Sequence, residues 1–248
     1  GRWMQWVPTD ASASNCYSTT ISDLAVDDAS RVWVATRGRG VLVMRDGLTR
    51  VGCSNQVRYA HSTQEDAGLQ GGQVWSLALD AQGDVWMAHG DSPIRGRGIA
   101  VLDYGGTLDD WASWQTDDTW RYLGFDGVDG RSDALITVME RGQDGTWLLG
   151  AKDDANGDGL GMRLYDEASG LWTPLRVSDT GPPSSRVSDI AVDPGSGAVW
   201  FSLRNRGVAR LDPATNAWTW WRAYQNVAVV ANTIAIAETD SRRIQVDL

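Results

Sequence analysis

The segment Asp154-Ala155-Asn156-Gly157-Asp158-Gly159 sets three oxygen-donor side chains at alternate positions and ends them with a glycine. Hard oxygen donors at that spacing wrap a Ca²⁺ ion, and glycine permits the sharp turn the chain makes around it. Asp153 adds a further candidate ligand. An EF-hand would need a bidentate glutamate at the twelfth position, which here is Tyr165, so an EF-hand is excluded. A shorter calcium loop with Asp153, Asp154, Asn156 and Asp158 as ligands remains, beside the plainer reading of a solvated Asp/Gly turn.

A second group is cationic. Arg37, Arg39, Arg95, Arg97, Arg204, Arg206, Arg242 and Arg243 recur in one phrase, clearest in Gly38-Arg39-Gly40-Val41, Gly96-Arg97-Gly98-Ile99 and Asn205-Arg206-Gly207-Val208. Guanidinium groups bind carboxylates and phosphates through a planar fork, so arginines gathered from successive repeats suit an anionic ligand or an acidic partner. The competing reading is a lattice of ion pairs with Asp23, Asp133 and Asp189, which would consume the charge internally.

His61 and His89 are the only histidines, with Tyr59, Glu65, Asp66 and Asp91 near them in sequence. An imidazole beside an acid could serve as a general base. No zinc spacing or nucleophile elbow accompanies them, and incidental surface positions are the alternative. Trp111, Trp114 and Trp120 could form a stacking platform for a sugar, or could complete an enlarged outer strand. Cys16 and Cys53 are the only cysteines; as a disulfide they would fit an exported protein, and as unpaired thiols they carry no such meaning.

The elements that must position these groups are strands. Each repeat opens with an alternating apolar run, strand A, as in Ile21-Ser22-Asp23-Leu24-Ala25-Val26-Asp27, Val74 to Asp80 and Val187 to Asp193. A turn rich in Asp, Gly and Pro follows. Strand B then carries an aromatic, Trp33, Trp86, Trp147 or Trp200; strand C opens at Gly40, Gly98, Gly161 or Gly207; strand D is often Trp-bearing. A period averaging roughly 50 residues, built of short strands, is the signature of a β-propeller with one four-stranded blade per repeat.

The expected architecture is therefore all-β, a single five-bladed propeller of four-stranded antiparallel blades at approximately 20–53, 73–125, 133–177, 186–224, and 227–248 plus 2–8. In that scheme Arg2 to Val7 supplies strand D to a last blade that has only A, B and C, which closes the ring and removes two exposed sheet edges. A fragment of a larger propeller is the alternative. The tight connections are expected at A–B and C–D, the long ones at D–A and B–C. Long loops on a rigid scaffold are where binding resides.

Net charge is −10, which argues against non-specific binding to nucleic acid or to an anionic membrane. No apolar run is long enough for membrane insertion, and the N-terminal glycine with no visible signal peptide suggests a processed protein or a trimmed one.

The phrase Ser188-Asp189-Ile190-Ala191-Val192-Asp193, a Gly turn, then Val199-Trp200-Phe201-Ser202-Leu203-Arg204 and Gly207-Val208-Ala209-Arg210-Leu211-Asp212 resembles the two-component-regulator propeller repeat. It is also similar to the repeats of streptogramin-lyase-like propellers. Four copies and a degenerate fifth carry the likeness over most of the chain. It implies a propeller fold and leaves function open, since sensor ectodomains, secreted binding modules and occasional lyases share such repeats. No histidine-kinase segment accompanies them. The leading expectation is a non-enzymatic module, extracellular or periplasmic, that holds a protein partner, a carbohydrate or an anionic small ligand on its long-loop face. The alternatives are a hydrolase or lyase acting on a saccharide or cyclic peptide, and a structural subunit of a larger assembly.

Overall fold

The computed structural model describes residues 20–38, 40–44, 56–59, 69, 71–92, 95–105, 118–124, 135–152, 159–175, 181, 184–204 and 206–222. Sixteen strands are described, in four antiparallel sheets, each with its strands in chain order. The first sheet is β1 (Ile21–Val26), β2 (Val32–Thr36), β3 (Gly40–Met44) and β4 (Gln56–Tyr59). The second is β5 (Gln73–Leu79), β6 (Val85–Ser92), β7 (Arg95–Asp103) and β8 (Thr119–Leu123). The third is β9 (Leu135–Arg141), β10 (Thr146–Lys152), β11 (Gly159–Asp166) and β12 (Leu171–Leu175). The fourth is β13 (Val187–Val192), β14 (Val199–Leu203), β15 (Gly207–Asp212) and β16 (Ala217–Trp221).

Four blades replace the five expected from sequence, and the closure by an N-terminal fourth strand falls with the fifth. Residues 227–248 and 2–8 lie outside the described residues. The physical reason is in the repeat itself: every observed sheet has an indole in its second strand and a glycine at positive φ in the first part of its third (Gly40 +72°, Gly98 +88°, Gly161 +85°, Gly207 +94°). The stretch 227–248 contains neither Trp nor Gly. The connection before strand D also differs from expectation. It is a tight turn in the third and fourth sheets, but β3 and β4 are separated by residues 45–55, and β7 and β8 by 104–118.

The first two sheets form one compact unit and the last two another. Within each unit, the face of one sheet that looks forward along the chain packs on the rear face of the next. In unit one Trp33, Ala35, Val41 and Val43 meet Val74, Leu77, Val85, Met87, Ala100 and Leu102. In unit two Val138, Leu148 and Met162 meet Val187, Ile190, Val199, Phe201 and Leu203. Side chains alternate across a strand, so each contact uses one face of each sheet, Trp33 and Ala35 of β2 against Val85 and Met87 of β6, and Leu148 of β10 against Val199, Phe201 and Leu203 of β14.

The aromatic of strand B, which the repeat pattern sets at one place in Trp33, Trp86, Trp147 and Trp200, does not occupy one fixed place. Hydrogen-bonded turns align Gly142 to Thr146 with Asp80 to Asp84, which puts Leu148, not Trp147, at the position of Trp86. Trp147 is offset by one residue and so occupies the other face of its strand.

Candidate functional site

Every A–B pair carries a bulge near the start of strand A, at Ser22, Trp75, Thr137 and Ser188. A bulge admits one extra residue and re-aims its side chain. In three sheets that residue is a hydroxyl that bonds backbone: Ser22 to the carbonyl of Val74, Thr137 to that of Gly150, Ser188 to that of Ser202. Sheet two places Trp75 there instead.

This bulged end is also where the D–A and B–C connections meet. Arg37 donates its backbone N–H to the carbonyl of Thr20 at 3.0 Å, and Gly38 and Gly40 donate to Gly72 at 3.0 and 2.9 Å. In unit two, Arg204 donates to the carbonyl of Arg186 at 2.9 Å and Gly161 to that of Ser185 at 3.1 Å. Both loop classes thus lie at one end of each unit and are tied together by backbone bonds. A Cβ added at Gly72 would stand 3.5 Å from the Gly38 carbonyl oxygen, in ordinary contact, so the close approach of the two loops rests on the paired amides of Gly38 and Gly40.

Arg37 is the best-defined charged group at this end. Its guanidinium carbon stands 3.5 Å from the ring centre of Trp75. The indole is buried while the arginine is exposed on its other side. Burial of the covered side lowers the guanidinium pKa, yet arginine stays charged at neutral pH. A guanidinium held over an aromatic ring keeps N–H donors for a carboxylate or phosphate. Arg204 holds the corresponding place after β14, and Arg204 and Arg206 are both exposed. Arg97 and Arg206 each directly precede the positive-φ glycine of their sheet, whereas Leu160 stands there in sheet three. Arg39, Arg242, Arg243 and His61 lie outside the described residues, as do Asp153, Asp154, Asn156, Asp158, Cys16, Cys53, Trp111 and Trp114. Arg95 and Arg97 are described only as members of β7.

One of the acids set against these arginines has a described role between the sheets. Asp23 accepts the hydroxyl of Ser76 at 3.0 Å and the backbone N–H of Leu77 at 2.9 Å, stitching sheet one to sheet two. The matching position is Ser76 in sheet two, Val138 in sheet three and Asp189 in sheet four. Asp133 lies outside the described residues.

His89 is not a surface residue: it is 1% exposed and pairs with Val74 across β5 and β6. Trp120 lies near the start of β8, opposite Leu102, at the end of the sheet away from the B–C loop. It packs against the core of unit one and stacks on Tyr122 with centroids 6.5 Å apart.

The sequence reading missed the acids of the opposite, A–B end. Asp27 accepts the indole N–H of Trp33 at 2.9 Å, and Asp80 that of Trp86 at 2.9 Å. The signal was present as an aspartate six residues before a tryptophan in two repeats.

No protein-family model matches the chain, and no curated protein matches it. Solved structures do, and they share its fold. The chain is similar to the extracellular domain of BT4673 from B. thetaiotaomicron, assigned to a one-component system, at 15% identity and TM-score 0.59, over 83% of this chain and 25% of that one. It is similar to PorZ, a bacterial surface component of the type-IX secretion system of Porphyromonas gingivalis, at 15% identity and TM-score 0.59, over 93% and 31%. It is also similar to virginiamycin B lyase from Staphylococcus aureus, at 16% identity and TM-score 0.53, over 84% and 57%. Both kinds of propeller that the repeat resembles are therefore among its structural neighbours. The chain spans a quarter to just over half the length of these proteins. What they define for it is a class: an all-β fold of propeller blades.

Proposed function

We propose that this chain is a binding module of the cell exterior that takes an anionic ligand, carried by a glycan or a protein partner, at the D–A/B–C end of its sheets. The observation that carries this reading is the Arg37 guanidinium held over the Trp75 ring at 3.5 Å, where the three other sheets have a backbone-bonded hydroxyl. Exposed Arg204 and Arg206 at the same end of unit two support it, and so do the surface and extracellular settings named for PorZ and BT4673. Among the described residues no helix is long and apolar enough to cross a membrane. The connection between β10 and β11 carries Asp153, Asp154, Asn156 and Asp158, whose donor set suits Ca²⁺ as a structural ion beside such a site.

The test is binding of the chain to acidic and neutral glycans and to acidic peptides, each compared with Arg37→Gln and Arg204→Gln. Loss of a hydrogen bond to a charged group weakens binding about tenfold. Ser169→Arg, at the C–D turn of sheet three, leaves affinity unchanged. Binding that survives both arginine substitutions but fails with Ser169→Arg would overturn the assignment. Thermal unfolding with EDTA and then Ca²⁺ tests the ion: a ligand of the folded state raises the midpoint, and Asp154→Ala with Asp158→Ala abolishes that rise.

A further inference from the structure

Strand A meets the end of strand B in the same register in all four sheets, and the residue pair at its outer limit differs from sheet to sheet. In sheet one it is Thr20 with Arg37, whose N–H donates to the Thr20 carbonyl at 3.0 Å. In sheet two it is Gln73 with Gly90, and in sheet three Leu135 with Lys152. In sheet four it is Arg186 with Arg204, one step beyond the Val187–Leu203 pair, and the Arg204 N–H donates to the Arg186 carbonyl at 2.9 Å. Of these four pairs only that of sheet four sets two cations opposite one another, and both are exposed. Directly opposite residues of an antiparallel pair share a face, with Cβ atoms about 5 Å apart, and like charges there are destabilising. Arg206, also exposed, adds a third guanidinium from the same B–C turn, which its N–H closes on the Leu203 carbonyl at 2.9 Å. The backbone beneath is fixed as well: the Arg186 N–H donates to Ser184 Oγ at 3.1 Å, and the Gly161 N–H to the Ser185 carbonyl at 3.1 Å.

We infer that Arg186, Arg204 and Arg206 form a site for a phosphate monoester carried by a sugar. This rests on the anion-binding reading of the D–A/B–C end and names the ligand's chemistry in unit two. A carboxylate has two oxygens, and one guanidinium fork occupies both. A phosphate monoester has three acceptor oxygens and carries about −1.5 to −2 charge near neutral pH, so it takes donors from several guanidiniums at once. Seated across the Arg186–Arg204 pair, it offsets the like charge that the sheet sets there. Sheet one, with Arg37 opposite Thr20, offers a single fork at the equivalent place. A sugar is favoured over a peptide as the carrier because the amides of Arg186, Arg204 and Arg206 are already bonded within the protein. A peptide main chain finds no donor among them, whereas the ester needs only side-chain forks. The net charge of −10 opposes approach to a phospholipid surface.

The experiment is isothermal titration of the full chain near neutral pH and at fixed ionic strength. The probes are glucose phosphate, glucuronate, inorganic phosphate and a phosphoserine peptide. Glucose phosphate is expected to bind more tightly than the other three. Arg186→Gln and Arg204→Gln should each weaken it about tenfold or more, and Arg204→Lys, which keeps the charge without the fork, should weaken it too. Arg121→Gln removes the same charge from β8 and should leave binding unchanged; circular dichroism verifies that each variant folds. Glucuronate bound as tightly as glucose phosphate overturns the phosphate assignment while the anion-binding reading stands. Inorganic phosphate or the phosphopeptide bound as tightly overturns the sugar carrier. Glucose phosphate binding that survives both glutamine substitutions overturns the site, and absence of binding by every anion overturns the site and the anion-binding reading together.

Discussion

At the scale of single residues, the clearest device is an aspartate that closes a turn and holds an indole. Asp80 is nearly buried and accepts the backbone N–H groups of Gln82 and Asp84 and the Trp86 indole N–H, all at 2.9 Å. Asp80→Ala strands a buried donor and opens the turn, so it should cost about 3 kcal/mol, read as a lower urea midpoint. Asp27 does the same for Trp33 and also binds Arg31, whose Nε stands 2.6 Å from the carboxylate. Burial works to raise the Asp27 pKa, but the Trp33 indole, the Arg31 backbone and side chain, and the Arg31 charge outweigh it, and the net shift is downward. The contribution of this carboxylate is therefore full above the ordinary unfolded value of about 3.9 and is lost as pH falls through its lower folded value. Acid unfolding curves should show that loss in the wild type, and Asp27→Asn should flatten it while being less stable at neutral pH. The sequence identified these aspartates as turn formers. Their second role left a signal in the six-residue spacing to Trp33 and Trp86, but the spacing alone does not say that the two groups meet, because that depends on which face of strand B the tryptophan occupies.

At the scale of elements, strands A, B and C could be read from alternation, and turns from Asp, Gly and Pro. What escaped was register. A one-residue shift between turn and strand moves Trp147 to the opposite face from Trp86, and the bulge in strand A re-aims Ser22, Trp75, Thr137 and Ser188 without any local composition signal. The site's Arg37–Trp75 stack depends on that bulge, so its parts were visible in sequence but not their meeting. Register also explains Gly150, which faces the next sheet. A Cβ there would lie 2.8 Å from Val138 Cγ1 and 3.1 Å from Val187 Cβ. Both valines are buried and branched, with little room to yield. Gly150→Ala should destabilise by about 1–3 kcal/mol through overpacking. Gly195→Ala, in an exposed turn whose closest neighbour would be Asp193 Oδ1 at 3.4 Å, should stay within about 0.5 kcal/mol. Chemical denaturation of the pair distinguishes a packing effect from a general intolerance of added methyl groups.

At the scale of the molecule, the repeat predicted sheets correctly and counted them wrongly, because strand-like alternation in 227–248 was accepted without the glycine and tryptophan that the other repeats share. Which sheet faces are covered is equally invisible to pattern, since Ser22-Asp23-Leu24-Ala25-Val26-Asp27 and Ser188-Asp189-Ile190-Ala191-Val192-Asp193 are nearly the same string. The structure separates them: Ile190 is 4% exposed inside the core of unit two, whereas Leu24 is 54% exposed. Truncating a buried aliphatic removes transfer free energy and leaves a cavity, so Ile190→Ala should cost about 2–5 kcal/mol. Leu24→Ala should stay within about 1 kcal/mol, since little apolar surface is returned to water. Chemical denaturation of the two variants decides it: equal losses would mean that Leu24 is covered as Ile190 is, whereas two nearly identical strands with opposite sensitivities would locate the exposed side of β1 by thermodynamics alone.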